Sequence, residues 1–173
     1  PEIAETADRF GVRIGSVNPT LFEEQCYKYG SLGNPDEAIR QKALNHIFDC
    51  VKIARAVGSS ELVLWFADGS NYPGTANIRK RKQWFADALK QVGEKAGDKI
   101  RLLVEYKPFE PAFYHTDIAD WGMALLLARA AGPNARVLVD TGHHYPTQNI
   151  EQIVAWLLSE EMLGGFHFND RRY

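Results

Sequence analysis

Short apolar runs alternate along the chain with longer stretches in which apolar residues recur at every third or fourth position. The first run, VRIGSV (12–17), predicts a strand, and PEIAETADRF before it reads as the tail of a helix that ends at Gly11. After a polar loop containing GSLGN, residues Ile39, Ala43, Ile47, Val51 and Ala54 fall on one helical face. Asn34 is the expected N-cap there, with Pro35 in the first helical position, Asp36 and Glu37 in the first turn and Gly58 as the stop. ELVLWFA (61–67) predicts the second strand. Beyond the loop DGSNYPG, Thr75 is the expected cap of a helix burying Trp84, Ala88, Leu89 and Val92. RLLVEY (101–106) follows as a strand, then a helix capped by Thr116, carrying Ile118, Trp121, Leu125 and Ala128 and ended by Gly132-Pro133. ARVLVD (135–140), a helix capped by Thr147 with Ile150, Ile153, Val154 and Leu157, and GGFHF (164–168) complete the pattern.

Five strands with four helices between them argue an α/β fold with a parallel sheet and helices packed outside it. Two architectures fit: an open doubly wound sheet, or part of an eight-stranded (β/α)8 barrel, which typically needs about 250 residues. No G-x-G-x-x-G follows any strand, so a dinucleotide site has no support. The chain stops at HFNDRRY straight after an apolar strand. The expectation is therefore a single partial TIM-barrel domain over residues 1–173, truncated at both ends.

Composition narrows the function classes. A 45% hydrophobic content suits one globular domain with a real core. Twenty basic residues against 22 acidic ones, net −2, point to neither a nucleic-acid nor a membrane partner. No apolar run reaches membrane-spanning length, and no segment of the chain reads as a signal peptide. Cys26 and Cys50 lack metal-ligand spacing and read as reduced thiols.

Chemistry-bearing residues collect where strands end: Glu105 with Lys107, Asp140 with His143, and His167 with Asn169 and Asp170. Parallel α/β sheets bind ligands outside the C-terminal ends of their strands. Leu103 with Glu105, Leu138 with Asp140, and Gly165 with His167 share strand faces, so all three polar residues can point inward. Two carboxylates converging with an imidazole on an apolar barrel repel one another, burial raises their cost further, and a divalent cation resolves both problems. Oxygen-rich sites with an imidazole suit Mn²⁺, Mg²⁺, Co²⁺ or Zn²⁺. His143 could ligate a second ion nearby. Plainer readings stand beside this one. Glu105 could pair with Lys107, Asp140 could hold the Thr141-Gly142 turn, and His167 could be a satisfied structural histidine. Trp65 shares a face with Val63 and is either a platform for a sugar ring or core packing. RKRK (79–82) reads as a solvated helix face, and His144 as a surface residue or one backing the ligands.

VEYKPFEP (104–111) resembles the E-P-K-P-x-E-P signature of xylose isomerases, with Tyr106 where that family has proline. Over the whole chain, VLWFADGSNYPGTANIRKRKQWF, VEYKPFEPAFYHTD, VLVDTGHHYP and GGFHFNDRRY resemble bacterial L-rhamnose isomerases of the broad-specificity type. That resemblance implies a TIM barrel with two divalent metal ions, usually Mn²⁺. Glu105, Asp140 and His167 would ligate the structural ion and His143 the catalytic one. Lys107 would contact the sugar near the reacting carbon, and Trp65 would wall the pocket. The implied reaction is aldose–ketose isomerisation, L-rhamnose to L-rhamnulose and related aldoses, by hydride shift or through an enediol. The implied partners are small aldose and ketose sugars, in a cytoplasmic homotetramer when full length. Two other barrel chemistries compete: a ketose 3-epimerase, and a zinc-dependent abasic-site endonuclease, which the charge balance disfavours.

Overall fold

The computed structural model describes residues 2–71, 76–110 and 114–170. The elements run α1 (Glu2–Arg9), β1 (Ser16–Val17), α2 (Glu37–Val57), β2 (Glu61–Leu64), α3 (Ile78–Ala96), β3 (Arg101–Glu105), β4 (Phe109–Glu110), β5 (Tyr114–His115), α4 (Trp121–Ala131), β6 (Ala135–Asp140), α5 (Ile150–Ser159) and β7 (Leu163–His167). Five strands form one sheet in the order β1-β2-β3-β6-β7, every pair parallel. Sequential order without reversal is what a half-barrel requires and a doubly wound sheet does not give. The expected partial barrel is therefore the observed fold.

Helices cover the outer face. Their buried stripes, Ala43, Leu44, Ile47 and Val51 from α2 and Phe85, Leu89 and Val92 from α3, pack on the outward residues Leu62, Leu64, Leu102, Val104, Val137 and Val139. The inner face holds a separate small cluster of Val63, Leu103 and Leu138. Alternation along each strand thus splits one apolar run between two cores.

Several local expectations are corrected. Pro35 disfavours helix in the residue before it, and Asp36 is the residue that caps α2, accepting from the Ala38 N–H. Asn34 instead donates to the Gly30 carbonyl and accepts from Asp36 N. Thr75 lies outside the described residues; Asn77 caps α3 through Lys80 N. Asp120 caps α4 and Asn149 caps α5. Thr116 forms a bridge with Gly69 and donates its hydroxyl to the Lys107 carbonyl. The buried aromatic of α3 is Phe85, whereas Trp84 is half-buried under the Arg40 guanidinium, 4.0 Å from its ring centre. VRIGSV pairs only at Ser16–Val17, and a small antiparallel pair, β4 with β5, fills part of the loop after β3.

The β6–β7 pairing carries an irregularity. Val137 pairs with Leu163, but Leu138 pairs with Gly165, so Gly164 is an extra residue on β7. A Cβ on Gly164 would lie 2.5 Å from the Leu103 side chain and 2.7 Å from Arg136, which is why a bulge here takes glycine.

Candidate active site

Strands β6 and β7 end level, with Asp140 paired to His167, and β3 ends two residues short of them, with Glu105 paired to Leu138. Leu103 and Leu138 are inner-core residues, so Glu105 and Asp140, two positions on, also face inward. Both are nearly buried, at 4% and 5% exposure. Asp140 Oδ1 accepts from the Gly142 N–H at 2.7 Å, which supports the expected Thr141-Gly142 turn and leaves Oδ2 directed elsewhere. That turn swings His143 back over the strand ends.

Glu105, Asp140 and His143 bring ligand-type atoms within 4.8 Å of one another, a group that could hold a metal ion. His143 Nδ1 lies 3.1 Å from the Tyr106 carbonyl and 3.3 Å from Glu105 Oε1. With two acceptors facing it, Nδ1 carries a proton, and Nε2 lies 3.7 Å from Asp140 Oδ2. A gap of that size between an imidazole nitrogen and a buried carboxylate would suit an intervening cation. His167 Nδ1 reaches the same carboxylates, 3.4 Å from Glu105 Oε2 and 3.9 Å from Asp140 Oδ2. All four expected ligands therefore converge. His143 lies within the carboxylate group, and His167, from the edge strand, is the more exposed of the two histidines.

A cavity of 340 Å³ opens beside this group, lined by Glu105, His143, Lys107, Val63, Trp65 and Phe22 among others. Lys107 Nζ sits over the Trp65 ring, 5.2 Å from its centre. Phe22 meets Trp65 edge-on with centroids 4.9 Å apart. Glu105 faces His143 and His167, and Lys107 lies over Trp65 on the cavity wall.

Sequence reading missed three features. Phe22 comes from the loop after β1 and carries no periodic signal. The Tyr106 hydroxyl lies 2.7 Å from His144 Nε2, with both residues buried. Of the two readings of His144, a surface residue or one backing the ligands, its burial fits the second; the contact with Tyr106 is what went unread. Third, Arg81, from the run read as solvated, is 4% exposed. It forks onto Asp117, with Nη2 2.6 Å from Oδ2, and donates to the Gly33 carbonyl at 2.6 Å. Asp68 beside it accepts from Ser31 N, Ser31 Oγ and Gly33 N, each at 2.7 Å. This knot anchors the loop that carries Phe22. Position 81 falls on the stripe of Phe85, Ala88, Leu89 and Val92, and that phase is the signal that predicts its burial.

The sequence model of the xylose isomerase-like TIM barrel family matches residues 1–173. The chain belongs to that family. A "probable sugar isomerase" of Rhizobium meliloti is 42% identical over 176 residues, covering 99% of this chain and 41% of its own length. An L-rhamnose isomerase of Bacteroides thetaiotaomicron is 29% identical over 146 residues, covering 82% of this chain and 34% of its own. The chain thus spans about two fifths of the length of its curated relatives from Rhizobium meliloti and Mesorhizobium japonicum. Among solved structures, D-allulose 3-epimerase from Methylomonas sp. superposes with a TM-score of 0.72 at 22% identity, over 95% of this chain and 55% of that one. L-Ribulose 3-epimerase superposes with a TM-score of 0.75 at 16% identity, over 96% and 53%. At those identities the likeness shows the barrel fold alone. Among the described residues no helix is long and apolar enough to cross a membrane.

Proposed function

We propose that this chain carries the cation- and sugar-binding strand ends of an aldose–ketose isomerase acting on L-rhamnose and related aldoses. The observation that carries the reading is the 340 Å³ cavity lined by Glu105, His143, Lys107 and the two aromatic rings of Trp65 and Phe22. Its size suits a monosaccharide more than a polymer.

Glu105, Asp140, His143 and His167 would hold one or two divalent ions, Mn²⁺ by resemblance, with Co²⁺, Mg²⁺ or Zn²⁺ also suited to the donors. A divalent ion bound there supplies Lewis-acid polarisation of adjacent sugar oxygens. The chain's own residues do the rest. Lys107 donates to the sugar oxygen on which negative charge develops as hydrogen moves between C1 and C2, leaving C1 reduced and C2 a ketone. Trp65 and Phe22 offer an apolar wall to the C–H face of the sugar and keep water from the reacting carbons. His143, held at Nδ1 by the Tyr106 carbonyl, would offer Nε2 to a cation.

The relative named L-rhamnose isomerase supports this substrate class, and the resemblance of VEYKPFEP to the isomerase signature supports the reaction. A ketose 3-epimerase would use the same barrel mouth, and the fold shared with D-allulose and L-ribulose 3-epimerases keeps it the second reading. The test is to give the full-length protein bearing this chain L-rhamnose or D-fructose with Mn²⁺. Ketose formed from L-rhamnose, lost about 10²–10³-fold in Lys107→Ala, supports the isomerase. A C3 epimer formed from D-fructose with no aldose consumed sinks it in favour of the epimerase.

A further inference from the structure

We propose that Tyr106 is a positioning residue that fixes the tautomer and aim of His143, using its carbonyl and its hydroxyl on two neighbouring histidines. The inference rests on Glu105, Asp140 and His143 being the cation-holding group.

Tyr106 immediately follows Glu105 and is 1% exposed, the largest of the fully buried side chains. Its carbonyl lies 3.1 Å from His143 Nδ1. Its side chain points to the opposite side of the strand end, where the hydroxyl meets His144 Nε2 at 2.7 Å and the two rings pack at 85° with centroids 5.4 Å apart. The Tyr106 hydroxyl and His144 Nε2 thus share one buried hydrogen bond.

The consequence is that the turn from Asp140 to His144 is held at both histidines, His143 Nδ1 by the Tyr106 carbonyl and His144 Nε2 by the Tyr106 hydroxyl. The loop bearing His143 is thereby tied twice to the end of β3, once through each histidine. Release of His144 would let the loop, and with it the His143 ring, turn away from Asp140 Oδ2. Ligating imidazoles are generally held by such partners on the other ring nitrogen, and their removal typically costs about 10–100-fold in metal affinity. Here one residue supplies both a direct and a relayed partner. The proline found at this position in the xylose isomerase signature has no hydroxyl to offer His144.

The test uses Tyr106→Phe, which removes the hydroxyl and keeps the ring, the carbonyl and the volume. Two readouts are taken on this chain at one fixed pH: the His143 tautomer by ¹⁵N imidazole NMR without metal, and Mn²⁺ affinity by titration calorimetry. The expected result is a single Nδ1–H tautomer in wild type, a mixture in the variant, and Mn²⁺ affinity about 10–100-fold weaker. A tyrosine that merely filled the core would lower the melting temperature and leave tautomer and affinity alone; that outcome overturns the proposal. Where Tyr106→Phe does not fold, His144→Leu breaks the same bond from the other end and is judged by the same two readouts. Absence of Mn²⁺ binding in the wild type would overturn the ligand reading, and the tautomer measurement would still decide the role of Tyr106.

Discussion

Asp68 shows how much a single buried carboxylate can govern. Burial outweighs its three donors and pushes it up to about 6, with the nearby Asp117 charge adding to the rise. A carboxyl whose folded value exceeds its unfolded one binds more protons when folded, so its contribution to stability falls as pH rises from about 4 to about 6. Wild type should therefore lose about 3 kcal/mol relative to Asp68→Asn over that window. Urea unfolding of both proteins at pH 4 and pH 7 measures it, and a constant difference between them would rule the idea out. Arg81 makes the opposite kind of case. Its fork onto Asp117 is buried, and removing one partner of such a pair typically costs about 3–5 kcal/mol. Arg81→Ala should cost that much by chemical denaturation, and Lys80→Ala, one position away on the exposed side, less than 0.5 kcal/mol by the usual range for surface changes. Charge alone hid this difference in the sequence. RKRK looks uniform until the four residues are laid on the phase of the helix, where only Arg81 joins the apolar stripe.

At the scale of elements, helices α3 and α4 approach unusually closely. A Cβ on Gly93 would fall 1.8 Å from the Ala131 carbonyl oxygen, so the helix–helix distance is set by a missing side chain. Backbone on one side leaves nothing flexible to yield. Gly93→Ala should destabilise by about 1–3 kcal/mol or more, through overpacking, although alanine is the better helix former. A melting temperature equal to or above wild type would refute this. The apolar periodicity that located α2, α3 and α5 in the sequence is a statement about one helix and one core. Caps were read a residue or more early because each depends on which side chain folds back. Asn34 and Asp36 are both competent caps by composition, and the tie is broken by the proline between them and by the Gly30 carbonyl that Asn34 serves instead. The β4–β5 pair was illegible for a related reason: two-residue strands carry no period.

For the whole molecule, the strand–helix alternation made the parallel sheet readable, and the ligand candidates were readable because they sit at regular places in that alternation. Glu105, Asp140 and His167 each end a strand two residues after an inward position. The Tyr106–His144 contact, Phe22 and Asp68 were not readable, because their roles depend on contacts between separate loops. If the carboxylates and histidines hold a cation, binding links β3, β6 and β7. Mn²⁺ at about 100 times its dissociation constant should then raise unfolding free energy by about 2.7 kcal/mol. Excess chelator should reverse the gain, and Glu105→Gln should show none of it. An equal gain in Glu105→Gln would place the ion elsewhere.

The extra glycine on β7 decides what kind of surface the barrel mouth has. Side chains along a strand alternate, so a one-residue slip exchanges the two faces. Continued in register from Leu163, β7 would turn Gly164, Phe166 and Phe168 toward the interior and send His167 out among the helices. With Gly164 absorbed as the bulge, Gly165 and His167 take the inner positions opposite Leu138 and Asp140. The chemistry of this site thus rests on a counting rule: one residue without a side chain, placed three positions before a histidine, converts a greasy rim into a liganding one.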